Sequence, residues 1–202
     1  MHSVLSIVWA LQAGEAALGG SEIDLLGHVW TIWHATQEPL TYTHLVGYPE
    51  GIDLLPILGG WADIVLAGWL TPFLGLISAF NAVTAIYLTI VGIGINVLAR
   101  CFGARLAGAF LAGTLFQLEP FILHHLTGGR TEQLGVGFVA LAIAAGVHAW
   151  RTPNILRGML FGLAYAVVVF VCWEYAFLLA GLLICLGIYL FWRERNVAGI
   201  IL

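Results

Sequence analysis

Five apolar runs, at residues 76–99, 106–126, 134–150, 155–173 and 175–192, carry almost no charge. A helix needs roughly 20 apolar residues to cross the hydrocarbon core of a bilayer. Backbone groups in lipid find partners only within the protein, so such runs form helices. A sixth, shorter run covers residues 3–18. Residues 57–77 are also apolar, but Asp63 and Pro72 interrupt them, and they read as a re-entrant or horizontal segment. Composition agrees. Charged residues make up 9% of the 202-residue chain, apolar residues 61%, and the mean hydropathy is +0.98. A soluble domain carries about 25% charged residues. A chain this poor in charge cannot cover its own surface in water, which excludes a cytosolic enzyme, a nucleic-acid-binding domain and a secreted disulfide scaffold. The expected fold is all-α: a polytopic transmembrane helix bundle of about six spans, forming one transmembrane domain over residues 1–202.

Orientation follows from the basic residues. All seven are arginine. Arg100 and Arg105 share one connection, Arg151 and Arg157 another, and Arg193 and Arg195 a third. With alternating spans these connections lie on one face, which the positive-inside rule makes cytoplasmic. Arg130 alone falls outside. Residues 19–57 then form a long extracytoplasmic first loop. The expected location is a bacterial or archaeal plasma membrane, as a multi-pass protein. Cys101, Cys172 and Cys185 are isolated in apolar surroundings and read as small apolar residues. The first run begins at Ser3 and the last four residues open another, so the chain reads as a fragment of a longer one.

The first loop holds the most informative residues. Ser21-Glu22-Ile23-Asp24 leads into a helical pattern in which Leu26, Trp30 and Trp33 share one face and Asp24, His28 and Thr31 another. Such an amphipathic helix lies at a lipid interface. Two readings of the acids remain open. Ser21 and Asp24 form a variant capping box, and acids favour a first helical turn. Alternatively, Glu22 and Asp24 are a carboxylate pair at the membrane surface, able to take a proton from an attacking hydroxyl or to hold a divalent cation, Mg2+ or Mn2+, beside a phosphate. Tyr48-Pro49-Glu50-Gly51 marks a turn further along the loop. A second polar cluster, Glu119-Pro120 followed by His124-His125 and Gly128-Gly129-Arg130-Thr131-Glu132, lies at the same outer level. Arg130 there suits phosphate binding, or else an ion pair with Glu119 or Glu132.

Four motifs together resemble the amino-terminal half of the GT-C class of polytopic membrane glycosyltransferases. They are Glu22-Ile23-Asp24 ahead of "GHVWTIW", the "YPEG" turn at 48–51, "AFNAVTAIYLTIVGIGINVLAR" at 79–100, and "LAGTLFQLEPFILHHLTGGRTEQ" at 111–133. In the last motif Glu119 stands where the family often has Ser, and Gly129-Arg130 replaces a common Gly-His. The resemblance implies transfer of a sugar from a polyprenyl-phosphate carrier to an acceptor on the extracytoplasmic face. It places the catalytic base, or a metal ligand, at Asp24 with Glu22 as companion. It places Arg130 and His125 near the lipid phosphate, with Glu119 and Tyr48 as further substrate contacts. Two other functions compete: a transporter or lipid flippase, which needs ionisable groups near the bilayer midplane, and a non-catalytic membrane subunit in which every acid is a cap or an interface residue. Convergence of Asp24, Glu22 and Arg130 on one outer cavity separates the enzyme from the last of these.

Overall fold

The computed structural model describes residues 16–19, 23–39, 41–54 and 58–198. Most of the expected first span, with Ser21, Glu22 and the last four residues, lies outside them. The described chain is all-helical apart from one two-residue ladder. Its elements are α1 (Ile23–Gln37), β1 (Tyr42–Thr43), β2 (Ile52–Asp53), α2 (Ala62–Leu74), α3 (Leu76–Cys101), α4 (Leu106–Gln117), α5 (Pro120–Gly128), a 3-10 turn (Thr131–Gly135), α6 (Val136–Arg151), α7 (Ile155–Val171) and α8 (Trp173–Ala198).

Among the described residues, two helical stretches, Leu76–Cys101 and Thr131–Arg151, are long and apolar enough to cross a membrane. The α4–α5 pair makes a third if it counts as one span, although it bends by 45°. The bend has a local cause. Glu119 takes an extended backbone, its carboxylate accepts a hydrogen bond from the Phe121 N–H at 2.9 Å, and Pro120 occupies the first helical position. An acceptor cap followed by proline starts a new helix. The count of about six spans is thus only partly met. At 17 residues α7 is about 26 Å long, slightly under the hydrocarbon thickness of roughly 30 Å. Large apolar side chains stay exposed along α4 (Leu106, Leu111, Leu115), α7 (Leu156, Leu160, Leu163) and α8 (Phe177, Leu178, Leu182). Continuous apolar stripes of this kind suit lipid rather than water.

Helix α3 is the centre of the bundle and packs on α2, α4 and α6. Its contact with α6 is close because Gly94 faces the Gly137 backbone and Gly137 faces the backbone of Ile90 and Val91. A Cβ on Gly137 would sit 2.5 Å from the Val91 nitrogen. Small residues permit this approach where helices pack in lipid. Two buried amides inside the bundle are satisfied: Gln117 donates to the Leu88 carbonyl at 2.6 Å, and Asn81 donates to the Ala16 carbonyl at 2.9 Å while accepting from the Leu18 N–H at 2.7 Å. Asn81 thereby fixes the chain just ahead of the first-loop acids onto α3.

The bundle has two chemically distinct ends. At one, Arg151 donates to the Cys101 carbonyl at 2.6 Å, which joins the α6–α7 connection to the α3–α4 connection, and Arg157 donates to the Thr152 carbonyl at 2.6 Å. At the other end lie α1, the segment 58–61, the α5–α6 connection and the α7–α8 junction. There Trp61 N–H bonds the Phe170 carbonyl at 3.0 Å and Trp173 N–H the Gly59 carbonyl at 3.2 Å.

Candidate functional site

Helix α1 forms as its pattern predicts. Leu25 and Ile32 are buried, whereas Leu26 and Trp33 are exposed on the face expected at the lipid interface. Asp24 and His28, one turn apart, project from the same side. Opposite them, α5 ends on Gly129 in the left-handed region, at φ 71°, a conformation that suits glycine. An added Cβ on Gly129 would lie 2.7 Å from the Leu25 Cβ. This close contact with α1, together with the Arg130 N–H bond to the His125 carbonyl at 3.0 Å, turns Arg130 toward Asp24. The following turn is held to α3 by Thr131 and Thr84, whose hydroxyls are 3.0 Å apart, and to α8 by the Tyr175 hydroxyl, which donates to the Gln133 carbonyl at 2.9 Å.

Arg130 donates from Nε to Asp24 Oδ2 at 2.7 Å and also from a terminal nitrogen to the same oxygen. The two side chains are 41% and 47% exposed. An ion pair this open contributes only ~0.2–1 kcal/mol to stability, so an incoming anion can replace Asp24 on the guanidinium at little expense to the fold. The pair borders an open cavity of about 340 Å3 that is also lined by His28, Glu132, Gln133 and Glu174, with Gly59, Gly60 and Trp173 among its walls. Gln133 donates to Glu174 at 3.2 Å across this lining.

A second constellation sits behind the first. His28 Nε2 hydrogen-bonds the carboxylate of Asp63, from the first turn of α2, and His28 Nδ1 lies 3.5 Å from Glu132 Oε2. Burial alone would lower the His28 pKa. The charge and hydrogen bond of Asp63, with the charges of Glu132 and Asp24, outweigh it and leave the ring pushed up to about 9. Asp63 is 1% exposed, and its Oδ1 is buried with no hydrogen-bond partner, as is Glu132 Oε2.

The sequence-derived candidates divide between these positions. Asp24 and Arg130 meet at the cavity, and Glu22 lies outside the described residues. Glu119 caps α5. His125, half-buried, packs against Phe121 at 4.4 Å between ring centroids and does not line the cavity. Tyr48 is 87% exposed on the 41–54 loop, whose ends pair as Tyr42 with Asp53 and Thr43 with Ile52, and it too lies off the cavity. His28, Asp63 and Glu132 were not singled out by the sequence as a group. Two signals pointed to them: His28 follows Asp24 by one turn, and Asp63 interrupts an apolar stretch, where a charge needs a partner. No protein-family model matches the chain, and no match to a curated protein or to a solved structure was found.

Proposed function

We propose that this chain acts as a membrane glycosyltransferase of the GT-C kind, taking a sugar from a polyprenyl-phosphate carrier on the extracytoplasmic face. One observation carries the reading: Asp24 and Arg130, 106 residues apart in sequence, meet at the mouth of an open cavity. The cavity lies at the bundle end opposite the Arg100–Arg105 and Arg151–Arg157 connections, which the positive-inside rule assigns to the cytoplasm. That geometry favours an enzyme over a subunit whose acids merely cap helices.

The chemistry divides between the two residues. Donor phosphate takes the place of Asp24 on the Arg130 guanidinium, through two parallel hydrogen bonds. The displaced Asp24 carboxylate accepts the proton of the acceptor hydroxyl as its oxygen bonds to the anomeric carbon. The bond from that carbon to the carrier phosphate breaks, and polyprenyl phosphate departs with the electron pair, its charge balanced by Arg130. Leu26 and Trp33 on α1, and the exposed stripes of α4 and α7, supply the apolar surface beside which a polyprenyl chain would lie.

The test is reconstitution of the chain into liposomes with labelled polyprenyl-phosphate sugars and a mixture of hydroxyl acceptors, with release of polyprenyl phosphate as the readout. The proposal expects release for at least one donor. No release from any donor, with a folded protein, refutes it.

A further inference from the structure

We infer that His28, Asp63 and Glu132 form a binding site for one divalent transition-metal ion of the Zn2+ or Mn2+ kind, opening toward the cavity between α1, α2 and the Thr131–Gly135 turn. The site goes beyond the glycosyl-transfer reading and differs from the Glu22–Asp24 pair to which the sequence assigned a cation.

Three observations point to an ion. The first is the donor set. One imidazole nitrogen and two carboxylate oxygens lie within 4.8 Å of one another, the only such grouping of three among the described residues. In a tetrahedral site with bonds of about 2.1 Å, ligand atoms lie about 3.4 Å apart. The ion takes one ring nitrogen, on the Asp63 side, so the direct His28–Asp63 hydrogen bond opens to admit it and the Glu132 carboxylate, now 3.5 Å from the other ring nitrogen, swings round to complete the set. The second is unsatisfied polarity. Asp63 Oδ1, Glu132 Oε2 and the Tyr87 hydroxyl are all buried with no hydrogen-bond partner. Tyr87 is 2% exposed and lies within electrostatic range of both Asp63 and Glu132. Native proteins rarely leave buried polar atoms unpaired, and several around one point mark a missing ion or water. An ion bound between the two carboxylates would engage both orphaned oxygens. The third is charge. Two carboxylates with one imidazolium leave a net negative charge in a largely buried cluster, whereas two carboxylates, a neutral imidazole and a divalent ion sum to zero.

The imidazole decides the class. Oxygen-only sites suit Mg2+ and Ca2+, while a mixed nitrogen and carboxylate set suits Zn2+ and its first-row neighbours. His28 and Glu132 both line the cavity, so three protein ligands leave a coordination position open to it, as in ions that take part in chemistry.

The experiment uses the purified full chain in nanodiscs, stripped with chelator, exposed separately to Zn2+, Mn2+ and Mg2+, desalted, and assayed for retained metal by mass spectrometry and, for Mn2+, by electron paramagnetic resonance. Wild type should retain one Zn2+ or Mn2+ per chain and no Mg2+. Glu132→Gln and His28→Asn should each lose it, and Asp24→Asn should keep it. Asp63 is the most buried ligand, so Asp63→Asn is read only if circular dichroism and gel filtration match wild type. Absence of retained Zn2+ and Mn2+ from wild type, or equal retention by Glu132→Gln and His28→Asn, overturns the site, as does loss of the ion in Asp24→Asn alone. No sugar donor is present, so this result stands or falls apart from the transfer assay.

Discussion

Gly129→Ala tests how the site is assembled. Gly129 adopts φ 71°, and an added Cβ would lie 2.7 Å from both Cβ and Cδ1 of Leu25 and 2.9 Å from its Cα. The left-handed backbone costs a residue with a side chain about 1–2 kcal/mol. The contact is not with the free end of a flexible side chain but with atoms fixed to the α1 backbone, so α1 must shift. Overpacking of that kind typically costs about 1–3 kcal/mol. The variant should therefore lose roughly 2–5 kcal/mol in reversible denaturant unfolding in mixed micelles. The matched control is Gly27→Ala on α1, where an added Cβ meets nothing within 4 Å. It should be unchanged or gain up to ~1 kcal/mol from helix propensity. A Gly129→Ala protein within about 0.5 kcal/mol of wild type, the range of neutral surface changes, would refute the claim that this glycine sets the approach of α1 to α5.

Three other outcomes are expected. Asn81→Ala leaves the Leu18 N–H and Ala16 carbonyl unpaired beside α3, and should lower stability by about 1–3 kcal/mol in the same unfolding assay. Arg130→Lys keeps the charge but loses one of two parallel hydrogen bonds, worth about 1.5 kcal/mol, so donor affinity measured by equilibrium binding should fall roughly tenfold. Thr152→Cys in a cysteine-free background should be labelled by a membrane-impermeant reagent from the cytoplasmic side only; labelling from the outer side reverses the topology.

The sequence revealed helices more readily than contacts. The apolar runs at 76–99, 134–150 and 155–173 appear as α3, α6 and α7 with ends shifted by a few residues, because charge and glycine punctuate them. The run at 106–126 is continuous in hydropathy, yet Glu119-Pro120 carries a cap and a helix start that divide it into α4 and α5. Amphipathy in α1 was visible from spacing alone. Partners were not. Sequence offered Glu119 or Glu132 to Arg130, both near it in the chain, whereas the guanidinium pairs with Asp24, which α1 brings to it through the contact of Leu25 with Gly129. Spacing shows only that His28 shares a face with Asp24. Its bond to Asp63 depends on how α2 folds back beneath α1, and no periodicity within either segment encodes that.

The most direct test of the central claim is single-turnover sugar transfer by Asp24→Asn, with donor binding measured on the same preparation. Loss of a general base lowers the rate by roughly 10²–10⁴-fold. The amide still fits the first turn of α1, and the lost ion pair is half-exposed, so folding should stay within ~1 kcal/mol of wild type. Donor binding should be retained or strengthened, because Asp24 no longer competes with phosphate for Arg130. A slow enzyme that binds donor normally is the predicted result. Near-normal turnover by Asp24→Asn contradicts the account and leaves the Asp24–Arg130 pair a structural one.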